Sequence, residues 1–235
     1  MDKIFIICGN SRTFLECFDS CYKNIINEIG NKNSVILFYL KLDDPGPKGQ
    51  DGWNYNYKKN IKTQIEEKID TYKINKIKII LDTDEIDDKL LIKEVHNRNI
   101  FIKFLNEDSK LARAMQCHYN LYRCGEIIKE YEKVNNIIFN TFVYIRPDLY
   151  FEKKIVNYNL ENFNKIIVAL KFKNYKSDLF AIIPRKYFKE FFIDRFLFYK
   201  TNTNYKVSNA EEIYFKTISN KYITKYLTKY SIKRS

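Results

Sequence analysis

The strongest constraint on the fold lies in the first forty residues. Ile4–Cys8 is a short apolar run rich in β-branched residues, stopped by Gly9-Asn10. Such a run reads as a strand buried on both faces, the signature of a parallel sheet. From Thr13 to Ile29 the apolar residues Phe14, Cys17, Phe18, Cys21, Ile25 and Ile29 recur in steps of three and four. That period predicts an amphipathic helix. Ser11 or Thr13 is placed to cap it, Glu16 would complete a capping box with Thr13, and Gly30 ends it. Val35–Leu40 is a second strand. Strand, helix and strand with short joints make the βαβ unit of a parallel sheet.

The same logic extends along the chain. Asp43–Trp53 is a loop, since it holds two of the four prolines and three of the six glycines. A helix is predicted over Asn60–Asp70 and a strand over Lys76–Leu81. Asp82–Asp88 contains Asp82-Thr83-Asp84, formally a DxD, but so dense an acidic run reads first as a solvated helix start. Phe101–Phe104 is a further short strand. The longest helix covers Asp108–Lys133. Leu111, Ala114, Cys117, Leu121, Cys124, Ile128 and Tyr131 form its core stripe, and Arg113, Gln116, Asn120 and Arg123 a polar one. Strands follow at Phe142–Arg146, ended by Pro147, and at Ile166–Phe172 and Leu179–Ile183. Pro184 opens a helix to about Tyr199 whose aromatic residues face inward. Asn209–Ser219 is a last helix, and Tyr222–Ile232 an edge strand or a loose tail.

With 235 residues, the chain suits one domain that folds without disulfide or metal staples. A nucleotide-binding half spans about 1–151, an acceptor-side half about 152–221 and a basic tail about 222–235. The five cysteines form no CxxC pair, which points to reduced, buried thiols and away from zinc. The first apolar run is too short for a signal peptide, and no apolar stretch reaches the ~18–20 residues of a membrane span. The expected setting is cytoplasmic. The net charge of +12 suits polyanionic partners, but the lysines are scattered, so nucleic acid is the rival partner and not the expected one.

Four segments place chemistry-bearing residues at element ends. Gly9, Asn10 and Arg12 follow the first strand, where ligands of open α/β sheets bind. Glycine permits close backbone approach, and Arg12 suits a diphosphate. Neither GxGxxG nor a Walker loop is present, which excludes the usual dinucleotide and P-loop signatures. Arg146-Pro147-Asp148 emerges from the strand at Phe142–Arg146. Asp148 is a candidate metal ligand and Arg146 a phosphate partner; the plainer alternative is an Arg–Asp pair fixing a turn. Ser177-Asp178 enters a strand, and Asn209-Ala210-Glu211-Glu212 opens a helix. Asp178 and Glu211 are candidates to orient an acceptor or act as its base.

The ordered set CGNSRTF, Arg146-Pro147-Asp148-Leu149-Tyr150-Phe151, Ser177-Asp178-Leu179-Phe180-Ala181 and Asn209-Ala210-Glu211 resembles a group of small GT-A-like glycosyltransferases of large DNA viruses, algae and bacteria, with the pattern SGxxRTF, RPDLxF and SDxFA. The resemblance implies an α/β, GT-A-like (Rossmann-like) three-layer sandwich with a mostly parallel central sheet. It implies transfer of a sugar from a nucleoside-diphosphate sugar to a glycan or glycoprotein acceptor, with Mn²⁺ or Mg²⁺. Gly9, Asn10, Arg12, Arg113 and Arg146 would then bind the donor, Asp148 the metal, and Asp178 and Glu211 would be catalytic. Arg146 stands where the first acid of the family's DxD would be, so a metal-free site or an inactive binding module stays open. The fourth element has Ala210 where the group has proline.

Overall fold

The computed structural model describes residues 3–11, 13–30, 34–42, 61–82, 108–156, 165–172, 175–201, 222–225, 228 and 230–232. The fold is mixed α/β, built on a mostly parallel sheet. Strand β1 (Lys3–Asn10) leads to helix α1 (Phe14–Cys21), a π-helical turn (Tyr22–Ile26) and a last helical turn α2 (Asn27–Ile29). Then come β2 (Val35–Lys41), α3 (Ile61–Asp70), β3 (Lys76–Asp82) and the long helix α4 (Asp108–Asn135). Strands β4 (Thr141–Ile145), β5 (Leu149–Phe151), β6 (Ile166–Phe172) and β7 (Tyr175–Pro184) follow. A 3-10 turn (Arg185–Tyr187), a π-helical segment (Lys189–Asp194) and α5 (Arg195–Thr201) run on from β7. Strands β8 (Tyr222–Lys225) and β9 (Tyr230–Ile232) complete the described elements.

Seven strands form one sheet in the order β3-β2-β1-β4-β7-β6-β8, and β5 pairs with β9 in a separate ribbon. Within the large sheet only β7 runs against the rest: it is antiparallel to β4 and β6, while the other pairings are parallel. The order explains the unbroken apolar runs. In β1, Phe5 and Ile7 enter one core while Ile4, Ile6 and Cys8 enter the other. In β2, Ile36, Phe38 and Leu40 are parted from Val35, Leu37 and Tyr39 in the same way. The first core lies under α1, the π-turn and α3, the second under α4 and the segment after β7. Each fully buried side chain of this size contributes about 1.5–3 kcal/mol.

Several expectations are corrected. Thr13 sits at the start of α1, but no side-chain cap bond forms there. Its carbonyl instead accepts the amides of Glu16 and Cys17 at 3.1 and 3.0 Å. Cys117 is exposed, whereas Asn120, given to the polar stripe, is buried. The buried face of α4 centres on Met115, His118, Leu121, Cys124 and Ile128, so tertiary contacts widen it beyond the stripe that apolar spacing marks. The expected strand from Leu179 begins at Tyr175, four residues earlier. The chain after residue 221 returns to the sheet: β8 lies at its edge beside β6. The loop at 43–53, the acidic run beyond Asp82, Phe101–Phe104 and the expected helix Asn209–Ser219 lie outside the described residues. Among the described residues no helix is long and apolar enough to cross a membrane.

Candidate functional site

The chain leaves β1 to build β2 and β3 on one side, then returns to place β4 on the other. That reversal sets the carboxyl ends of β1 and β4 side by side, the position at which open α/β sheets take ligands. The register runs Lys3↔Thr141 to Ile7↔Ile145, so Gly9-Asn10 and Arg146-Pro147-Asp148 emerge side by side. Gly9 has φ +143°, and a Cβ there would stand 3.0 Å from Pro147 Cδ. Only glycine accommodates both that backbone conformation and that contact. The amide of Ser11 donates to the Lys41 carbonyl at 2.9 Å, tying the exit of β1 to β2.

Arg146-Pro147-Asp148-Leu149 is a tight turn. The Leu149 amide donates to the Arg146 carbonyl at 3.3 Å, with proline at the second position, where its fixed φ is favourable. Arg146 Nε donates to Asp148 Oδ1 at 2.9 Å, and an Nη–H donates to Oδ2, giving a two-pronged pair. Asp148 is buried; the Arg146 side chain keeps 37% of its surface exposed. Burial alone would push the guanidinium toward neutrality. The Asp148 carboxylate outweighs it, and Tyr144 and Cys117 act in the same direction, so Arg146 is held firmly protonated. The alternative of an Arg–Asp pair fixing a turn is therefore the arrangement seen.

The rest of RPDLYF is structural. Leu149 and Phe151 alternate into the core under α1, while Tyr150 faces out. Ser20 Oγ accepts the Phe151 amide at 3.0 Å, and Asn24 Nδ2 donates to the Phe151 carbonyl at 2.7 Å. These bonds fix β5 to the first helical segment and so hold the preceding turn in place.

Asp178 joins the same end of the sheet. Ile145 pairs with Phe180, and the Arg146 amide donates to the Leu179 carbonyl at 2.9 Å, so the backbone of residue 178 lies one step further along β7. Arg113 lies on α4, one turn before Cys117. Arg12 and Glu211 lie outside the described residues. Gln116 and Asn120, read only as a polar stripe, are joined by an amide–amide bond of 2.7 Å. The sequence reading missed Tyr144 and Cys117 as neighbours of Arg146. Tyr144 carried a signal, since it ends two residues before the turn; Cys117 did not, having been placed in the core.

Among the described residues no group of three or more His, Cys, Asp or Glu side chains could hold a metal ion. Asp148 offers oxygens that Arg146 already engages.

No protein-family model matches the chain, and no curated protein matches it. Among solved structures it is similar to a glycosyltransferase involved in the glycosylation of the major capsid of PBCV-1. The identity is 11% and the TM-score 0.39, over 96% of this chain and 82% of that one. A likeness that distant assigns neither fold family nor activity.

Proposed function

We propose that the chain is a glycosyltransferase of GT-A-like, three-layer design, taking a nucleoside-diphosphate sugar beyond the ends of β1 and β4. The observation that carries this reading is the meeting of Gly9 with the Arg146-Pro147-Asp148 turn at the reversal of strand order. The ordered motif resemblance supports it. A guanidinium has five N–H donors, and two of Arg146's go to Asp148. The others are assigned to the donor's diphosphate, with Arg12 and Arg113 as further partners and the Gly9-Asn10 backbone as the wall.

In the reaction, the bond from the anomeric carbon to the diphosphate oxygen breaks, and an acceptor hydroxyl oxygen bonds that carbon. The acceptor's proton passes to a base, and Asp178 and Glu211 are the candidates. Fixed positive charge at a leaving diphosphate is often the largest catalytic contribution. Arg146 supplies it in this reading, and no step is routed through Mn²⁺ or Mg²⁺. Asp148 is then a positioning residue that aims the guanidinium.

The test follows release of nucleoside diphosphate from UDP-, GDP-, CDP- and dTDP-sugars. Arg146→Ala should lower turnover about 10²–10³-fold, the usual cost of removing one such donor. Asp148→Ala should lower it less and be partly rescued by Asp148→Glu. Wild-type turnover in Arg146→Ala would overturn the assignment.

A further inference from the structure

A concavity lies on the α1 side of the sheet, at the end of β2 opposite the Arg146 turn. It has a volume of about 350 Å³ and is walled by Tyr22, Asn27, Ser34, Tyr72, Lys73 and Asn75, with Ile36 among its apolar lining. This is within the ~300–1,000 Å³ of small-molecule sites. From Ile36 to Lys41 the strand advances five residues, roughly 17 Å at ~3.3 Å each, so the cleft is separate from the sheet end that carries the Arg146 turn.

Its walls come from irregular backbone. In a regular α-helix, residues five apart point roughly 140° away from each other. Here the Asn27 amide donates to the Tyr22 carbonyl, five residues back, and the π-turn sets both residues on the cleft. Such turns are frequent at functional sites. Across from them, Lys73 takes a left-handed conformation with φ 49°, turning the chain from α3 into β3.

The Tyr22 and Tyr72 rings lie 4.2 Å apart between centroids at 41°. Tyr72 is held further by an edge contact to Phe18 at 5.3 Å and by its hydroxyl donating to Asp19, which Lys68 pairs at 2.7 Å. Burial first, then Asp19, push the Tyr72 phenol up to about 12, so it stays neutral. The wall is thus preorganised, which lowers the ordering cost of binding.

Among the described residues the lining holds two phenol rings, two side-chain amides and a serine hydroxyl, with one cation and no carboxylate. Among those described residues a divalent ion finds no anionic ligand, and a polyphosphate finds a single lysine. A pyranose offers an apolar C–H face for the rings and a rim of hydroxyls that both donate and accept. We infer that this cleft is a carbohydrate-binding site for a neutral sugar unit, distinct from the donor site proposed at Arg146. The inference rests on the cleft's own chemistry and stands whether or not the chain transfers sugar.

The test is saturation-transfer NMR on the full chain with methyl glycosides of glucose, galactose, mannose and xylose, which carry no diphosphate. At least one should bind saturably with a millimolar dissociation constant. The exposed double change Asn27→Ala/Asn75→Ala should weaken it tenfold or more at unchanged Tm, while Arg146→Ala leaves it unaltered. Ser34→Trp, which fills the cleft from its rim, is the second route to the same loss. Absence of binding by every glycoside overturns the inference. So does binding that survives both cleft variants, or displacement of the glycoside by uridine monophosphate at this cleft.

Discussion

An added methyl at Gly9 would meet Pro147 Cδ at 3.0 Å from a backbone at φ +143°. Strain of this kind costs about 1–3 kcal/mol. Gly9→Ala should lower stability by that amount in urea unfolding and displace the Arg146 turn. A variant as stable as the parent would show that the turn yields freely. His118 presents the opposite problem, a titratable group with almost no water around it. It is buried on α4; burial, then the charge of Arg195, push it down to about 3. Arg195 is itself buried, its guanidinium 3.8 Å from the centroid of the Phe191 ring. The unfolded chain binds a proton near pH 6.5 that the folded chain refuses until about pH 3. Stability should therefore fall as pH drops through this window, by at most about 1.4 kcal/mol per unit. Urea midpoints between pH 7 and 4 should fall less in His118→Asn. Parallel curves for the two proteins would contradict the shift. Neither role was readable in sequence: Gly9 was marked for close approach, but to a ligand and not to Pro147, and His118 had no marked role.

At the scale of elements, the strands were the most legible because both faces of the sheet are covered. Ile4–Cys8 and Val35–Leu40 are continuous apolar runs for that reason, and the observed strands contain them. Helix interiors were less legible. The π-turn at Tyr22–Ile26 leaves apolar spacing intact while it redirects Tyr22 and Asn27. The start of β7 at Tyr175 was hidden because Lys176, Ser177 and Asp178 break the apolar run on which a strand assignment depends. Gly125 shows how packing overrides propensity within α4. In an exposed helix, Gly→Ala gains about 1 kcal/mol. Here a Cβ would lie 2.9 Å from Ile193 Cδ1 and 3.0 Å from Phe192 Cβ. Overpacking of this kind costs about 1–3 kcal/mol, so Gly125→Ala should be neutral to destabilising by about 2 kcal/mol. A Tm raised by the substitution would mean that α4 and the segment after β7 can separate without loss.

For the whole molecule, strand order was what sequence could not supply. The βαβ pattern implied a parallel sheet, and the sheet is mostly parallel. It did not place β4 beside β1, or β7 antiparallel beside β4. Those long-range pairings bring Gly9, Arg146 and the backbone of Asp178 to one end of the sheet, while the sequence showed them only as separate strand ends. They also bring the last strands back: β9 pairs with β5, directly after the Arg146 turn. The central claim is that this end of the sheet binds a nucleoside diphosphate through Arg146. Thermal unfolding with UDP, GDP, CDP or dTDP, each with and without Mn²⁺, tests it directly. At a hundred times its dissociation constant, a bound ligand adds about 2.7 kcal/mol. The account predicts that one of the four raises the Tm by several degrees without needing Mn²⁺, and that Arg146→Ala removes the shift. No shift with any nucleotide, or a shift that Arg146→Ala leaves intact, would contradict it.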